Sequence, residues 1–360
     1  MNKFIACVIV LLLLTLGIVT YNLFLLKESI ENAVAQSRTN VSEGAAATVD
    51  AFAGEAARRG IQATEDTFQV YVDGVFSAGF EDYAVALEYA SRMERAEITH
   101  RDKTMPLWNN YPPYHVITKG NEYREFNTFA EAVVFAKNTP RSFIYYFKDN
   151  AMLWSNVNEL PAAHKIEGVP LVLQRPELPN GCEVTSLTML LNYNGVMADK
   201  LELAARIKMD PTPREWKDGR MYWGDPSVGF VGKLLDRDKE GFGVYHGPVF
   251  DLLAEFYPNS ALDLTGCEFE DLLYFLAAGR PVWVITNVTG AELPDSEFVT
   301  WTAPTGEIRA TYSEHSVLLT GFDESFVYYN DPLGESNAAE REDFKAAWTQ
   351  MGKQAVALSH

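Results

Sequence analysis

The segment Leu178-Pro179-Asn180-Gly181-Cys182-Glu183-Val184-Thr185-Ser186-Leu187 decides how the chain is read. Pro179, Asn180 and Gly181 make a turn. Behind them Val184, Leu187, Leu190 and Leu191 follow helical spacing until Asn194-Gly195 closes the run. Cys182 therefore opens a helix. Unpaired N–H groups and positive potential at that end favour a thiolate, the nucleophilic form of cysteine. Position alone leaves other readings open: a small buried hydrophobe, or half of a disulfide with Cys267, which also precedes a helical run.

A partner for the thiol is legible downstream. His315 begins the strand-like run His315-Ser316-Val317-Leu318-Leu319-Thr320-Gly321-Phe322. A second run, Ser325 to Tyr329, stops at Asn330-Asp331-Pro332, and Phe322-Asp323-Glu324-Ser325 is the turn between them. The hairpin makes His315 and Asp331 cross-strand neighbours. A carboxylate beside an imidazole fixes its tautomer and stabilises the imidazolium. Both residues follow Cys182 at about the 130–150 separation of papain-type enzymes.

From about Gly168 onward the chain resembles the C39-like cysteine peptidases, in their bacterial branch. The resemblance lies in Pro170-Leu171-Val172-Leu173-Gln174, Asn180 to Leu187, Trp223-Gly224-Asp225-Pro226, Gly229-Phe230-Val231-Gly232, Gly243-Val244-Tyr245-His246, His315 to Gly321 and Asn330-Asp331-Pro332-Leu333. It implies a papain-like α+β fold, a Cys182-His315-Asp331 site and Gln174 as side-chain donor to the oxyanion. Peptidases of this group that trim export leaders carry Asp-Cys-Gly, whereas this chain has Gly181-Cys182-Glu183, so that substrate is not carried over. Trp223 and Asp225 are weaker candidates for a cleft loop or a structural turn. His246 is a candidate cleft residue or a satisfied structural histidine.

Upstream, residues 68–156 repeat without gaps at an offset of 46: Val70 with Val116, Gly74 with Gly120, Phe80 with Phe126, Ile98 with Ile144, Leu107-Trp108 with Leu153-Trp154 and Asn110 with Asn156. Each unit reads as β-α-β closed by a Trp-containing hairpin or loop. Trp108 and Trp154 fill equivalent core holes or form a recognition surface. The repeats hold no candidate triad and are expected to be separable from the chemistry.

At the amino end, Lys3 precedes 23 residues without a charge, Phe4 to Leu26. A helix of that length covers about 34 Å, enough for a hydrocarbon core of roughly 30 Å. The expectation is a signal anchor at 1–27, with cleavage near Ala33-Val34-Ala35 the alternative. A polar, Ala-rich stalk follows at 28–66, then the repeat module at 67–160 and the peptidase domain at 161–360.

The 360 residues carry 30 Lys+Arg against 49 Asp+Glu, a net charge of −19. That balance excludes nucleic acid as a partner and disfavours adsorption to anionic lipid. Three cysteines make no disulfide scaffold. No His-Glu-x-x-His, paired-Cys, calcium or phosphate loop occurs, so neither metal nor cofactor is expected. The sequence thus points to a single-pass membrane protein of bacterial type. Its extracellular thiol hydrolase would act on peptide, cell-wall or surface-protein amides, or a related transpeptidase would. The alternative is a catalytically silent papain-like scaffold.

Overall fold

The computed structural model describes residues 67–101, 106–120, 122–235, 241–334 and 336–360. The expected anchor and stalk lie outside them. Among the described residues no helix is long and apolar enough to cross a membrane. Two compact units are present: residues 67–113 with Ile117–Glu125, and Tyr114–Val116 with Phe126–His360. Together they make a mixed α/β protein.

The first repeat runs β1 (Phe68–Val72), β2 (Val75–Phe80), α1 (Tyr83–Ala90), β3 (Ala96–His100) and β4 (Pro106–Asn109), with sheet order β2-β1-β3-β4. The second runs β5 (Tyr114–Thr118), β6 (Tyr123–Phe126), α2 (Phe129–Lys137), β7 (Ser142–Tyr146) and β8 (Ala151–Ser155), ordered β6-β5-β7-β8. Each is therefore β-β-α-β-β rather than the β-α-β read from sequence. In the first, Asp73 and Gly74 both take positive φ. That is the tight hairpin turn favoured by Asp-Gly, and it sends the chain straight back as β2.

The repeat extends to individual hydrogen bonds. Asn110 Oδ1 accepts from the Ala96 N–H at 2.7 Å and its amide donates to the Met93 carbonyl at 2.6 Å. Asn156 bonds the Ser142 N–H and the Thr139 carbonyl in the equivalent way, each at 2.8 Å. The helix caps correspond too, Asp82 for α1 and Thr128 for α2.

The remaining elements are β9 (His164–Lys165), α3 (Cys182–Tyr193), α4 (Lys200–Arg206), β10 (Met209–Asp210), β11 (Glu215–Lys217), β12 (Arg220–Tyr222), β13 (Phe230–Gly232), β14 (Gly241–Gly243), α5 (His246–Phe256), β15 (Ala261–Asp263), α6 (Phe269–Ala277), β16 (Val282–Asn287), β17 (Phe298–Ala303), β18 (Gly306–Thr311), β19 (Glu314–Phe322), β20 (Phe326–Asn330), β21 (Ala338–Glu340), α7 (Arg341–Gln350) and β22 (Ala355–Leu358). The main sheet has the order β15-β22-β16-β19-β20-β21, with β9 also pairing β19. Two smaller sheets run β10-β13-β14 and β11-β12-β17-β18.

Period-two alternation gives the main sheet two buried faces. Trp283, Ile285 and Leu318 pack with Leu187, Leu190 and Leu191 of α3 and Leu252 and Leu253 of α5. Val282, Val284, Val317 and Leu319 pack with α6 and α7.

The core on that second face does not stop at the helices. It takes in Tyr114, Phe129, Tyr146 and Trp154 of the second repeat. The Phe129 ring meets Phe275 edge-on at 5.5 Å. Tyr114 Oη donates to the Asp263 carbonyl at 2.9 Å, and Tyr146 Oη to that of Ala261 at 3.0 Å. Lys137 pairs with the buried Asp271 at 2.7 Å. The second repeat is thus continuous with the core of residues 161–360. The first repeat has a core of its own, built from Val70, Ala86, Tyr89 and Ile98.

Candidate active site

Helix α3 is buried along its whole first ten residues, Cys182 to Leu191. Its polar side chains are accommodated locally. Thr185 and Thr188 donate to the carbonyls four residues back, Gly181 at 2.6 Å and Val184 at 2.8 Å. Ser186 donates to the Ser316 carbonyl on β19 at 3.1 Å. The Trp283 indole donates to the Glu183 carbonyl at 3.0 Å. These bonds fix the helix start against β16 and β19. Cys182 is the first helical residue, so its own N–H is one of the four that lack an intrahelical acceptor.

His315 and Asp331 come together, though not as a direct cross-strand pair. His315 Nε2 lies 2.8 Å from Asp331 Oδ1, and both residues are buried. Burial alone would raise the Asp331 carboxyl. The His315 bond and charge, with the Leu333 and Ser336 N–H groups, outweigh it and hold the carboxyl below its usual range. An ionised carboxylate only accepts, so Nε2 carries the hydrogen and Nδ1 is left as the basic nitrogen of neutral imidazole. Pairing of β20 with β19 reaches no further than Leu318 and Asn330. Beyond that point the Ser316 N–H opposes the rise of the Cys182 thiol, while its carbonyl takes the Ser186 hydroxyl of α3 at 3.1 Å.

The thiol environment differs from the sequence expectation. Cys182 is 7% exposed. Burial, followed by the charges of Glu183 and Glu314, pushes it well above the ordinary thiol range despite the helix start. The Cys182 thiol donates to Glu183 Oε2 at 3.3 Å, while Glu183 Oε1 accepts from the Val244 N–H at 2.7 Å. Burial pushes the Glu183 carboxyl up to about 7. Glu314 is raised well above its usual range by burial and by Glu183. Both carboxylates close on Gly243, where a Cβ would collide with Glu183 Oε1 and lie 2.9 Å from Glu314 Oε2. Sequence reasoning passed over both glutamates. Their only signal was adjacency, Cys182-Glu183 and Glu314-His315. Cys182 and Cys267 are both free, which removes the disulfide reading.

Gln174 is buried beside the same turn. Its amide donates to the Leu178 and Pro179 carbonyls, each at 3.1 Å, and its N–H bonds the Pro332 carbonyl at 2.8 Å. It ties the approach to Cys182 to the Asp331 loop. A cleft of about 240 Å³ opens beside Asp331 between Leu171, Asn330, Gly334 and Ser336.

The weaker candidates lie in other surroundings. Trp223 is 2% exposed and packs on Trp301 at 5.7 Å. Asp225 accepts from the Ser227 N–H at 2.7 Å and from Thr305 Oγ1, which makes it a turn residue. His246 Nδ1 lies 3.0 Å from Asp263 Oδ2 and lines a separate cleft of about 310 Å³ with Tyr245, Thr265 and Gln354.

Comparison with known proteins places this geometry. Residues 166–356 match the Peptidase_C39 like family. The chain is 43% identical over 187 residues to the uncharacterized protein YvpB of Bacillus subtilis (strain 168), covering 52% of this chain and 72% of that protein. It is similar to the crystal structure of a putative C39-like peptidase from Bacillus anthracis, at 44% identity and a TM-score of 0.51, covering 55% of this chain and 98% of that one.

Proposed function

The chain belongs to the Peptidase_C39 like family, and from that premise we propose that it is a cysteine peptidase with Cys182 as nucleophile, His315 as base and Asp331 as the residue that orients His315. Support comes from the His315 ring, which gives Nε2 to Asp331 and keeps Nδ1 for the thiol proton, on a strand whose next residue, Ser316, holds the Cys182 helix through the Ser186 hydroxyl. Cys182 passes its proton to His315 Nδ1, and the sulfur attacks the amide carbonyl. The Cys182 N–H steadies the oxyanion, joined by Gln174 if substrate draws its amide from the Leu178 and Pro179 carbonyls. The imidazolium returns the proton to the departing amine, and water then cleaves the thioester.

We take the substrate to be a peptide or a cell-wall or surface-protein amide, seated in the cleft beside Asp331. The uncharged run Phe4 to Leu26 tethers the domain to the membrane and holds it outside the cell in this reading. Thiol-directed activity labelling, followed by peptide-library and cell-wall digestion with mass spectrometry, tests the proposal. Cleavage lost in Cys182→Ala and His315→Ala is the expected result.

A second reading, a catalytically silent scaffold, is favoured by one observation: the thiol is buried between two carboxylates that oppose its ionisation. Absence of both labelling and cleavage in folded protein would select it.

A further inference from the structure

Three buried side chains converge at the head of α3. Cys182 Sγ and one carboxylate oxygen each from Glu183 and Glu314 lie within 4.8 Å of one another. Glu183 is already oriented by the Val244 N–H, with its other oxygen on the thiol. Glu314 is 8% exposed, and its Oε1 is buried with no hydrogen-bond partner. Among the described residues the charge that acts on Glu314 is Glu183, so the two acids meet without a cation to balance them. Buried carboxylates in that position are protonated, paired or metal-bound.

We propose that Cys182, Glu183 and Glu314 form a Zn²⁺ site whose occupancy holds the nucleophile inactive. The regulatory part rests on Cys182 being the nucleophile. Zinc takes thiolate sulfur at about 2.3 Å and carboxylate oxygen at about 2.0–2.2 Å in a tetrahedron. Sulfur and oxygen ligands are then roughly 3.5–3.7 Å apart, so the Cys182–Glu183 pair, now at 3.3 Å, needs to open only slightly. Rotation of the Glu314 carboxylate supplies the third ligand, and water the fourth. The S–H bond breaks as the S–Zn bond forms. The thiol proton, with any proton shared by the carboxyls, goes to solvent. Sulfur in the ligand set selects zinc over calcium or magnesium, which take oxygen. The ligands come from two segments far apart in sequence and form no spaced motif, which is why the sequence offered no metal site.

The test uses the full chain and zinc alone, titrated in competition with a chromophoric chelator, alongside site-resolved alkylation of Cys182. The expected result is one zinc per chain, protection of Cys182 that chelator reverses, at least about tenfold weaker binding in Glu314→Gln, and unchanged binding in His315→Ala. Absent zinc binding, zinc bound with Cys182 still open to alkylation, or equal affinity in Glu314→Gln overturns the site. Affinity lost in His315→Ala also overturns it, since zinc would then sit on a thiol–imidazole pair. If Glu314→Gln does not fold, Co²⁺ substitution of the wild-type chain decides: a thiolate-to-metal charge-transfer band supports the site and its absence overturns it. Zinc binding without hydrolysis by the metal-free chain removes the hydrolase reading alone. Hydrolysis untouched by bound zinc removes the inhibitory role alone.

Discussion

Asp331 Oδ1 accepts from both His315 Nε2 and the Leu333 N–H, each at 2.8 Å, so one oxygen joins the imidazole to the loop behind it. Asp331→Asn keeps that acceptor but removes the charge and the second oxygen, which takes the Ser336 N–H at 3.3 Å. Hydrolysis is expected to fall roughly tenfold to a hundredfold, less than the ~10⁴ of the serine triad's aspartate. The carboxyl lies below its unfolded value, so its stabilising contribution is present above that value and is lost as pH falls through the lower one. The variant should lack this acid-side loss. Wild-type rates across pH would remove Asp331 from the site and leave a Cys–His dyad.

The reactivity of Cys182 should respond to Glu314. Its thiol is held up first by burial and then by the two neighbouring carboxylates. Glu314→Gln removes one of those charges and leaves the burial nearly as it was. Alkylation of Cys182, followed by site-resolved mass spectrometry in the presence of chelator, should move to lower pH in the variant. Cys267, buried among different charges, should be unaffected. A Cys182 profile that superimposes on wild type would show that burial alone sets the thiol.

Local features of this site were readable in the sequence, whereas long-range ones were not. His315 and Asp331 belong to one hairpin, so turn chemistry and strand alternation brought them together, even though a bulge between Leu319 and Gly321 shifts the register. Cys182 was placed at a helix start by its turn residues and the spacing behind it. That position suggested a lowered thiol pKa, and the structure reverses it through burial and through Glu183, oriented by Val244, and Glu314, which arrives from β19. Exposed to water, those two glutamates would be ordinary surface acids. The same limit applies to the second repeat. Phe129, Tyr146 and Trp154 have the apolar spacing of a self-contained core, and that spacing does not say what covers them.

Separation of the repeats from the peptidase domain should therefore succeed at one boundary and fail at the other. A chain beginning near Ala162 strips Phe129 from Phe275 and Trp154 from Tyr274, and loses the Lys137–Asp271 pair, whose aspartate is almost fully buried. It is expected to be insoluble or to bind hydrophobic dye. Phe129→Ala within the intact chain should cost about 3–5 kcal/mol, the usual range for a buried phenylalanine. The equivalent first-repeat change, Tyr83→Ala, should leave the unfolding of residues 126–360 unchanged, because that repeat has a core of its own. Calorimetry of the three proteins checks this, and a soluble, cooperatively folded chain from Ala162 would refute the shared core.

The acid pair should make the protein less stable as pH rises. Glu183 is raised to about 7 and Glu314 is raised as well, both above the unfolded glutamate value near ~4.3. Between the unfolded and folded values the native chain holds protons that the unfolded chain has released, so the stability slope with pH is negative. The effect is absent below about pH 4, grows through neutrality, and for Glu183 levels off once pH passes about 7. Glu314→Gln replaces one raised group with a neutral one, and Glu183 then titrates without a charged neighbour. In metal-free buffer the melting temperature of the variant should match or fall below wild type near pH 5 and exceed it by several degrees near pH 9. Parallel melting curves across that range would mean that Glu314 carries no proton into the folded state.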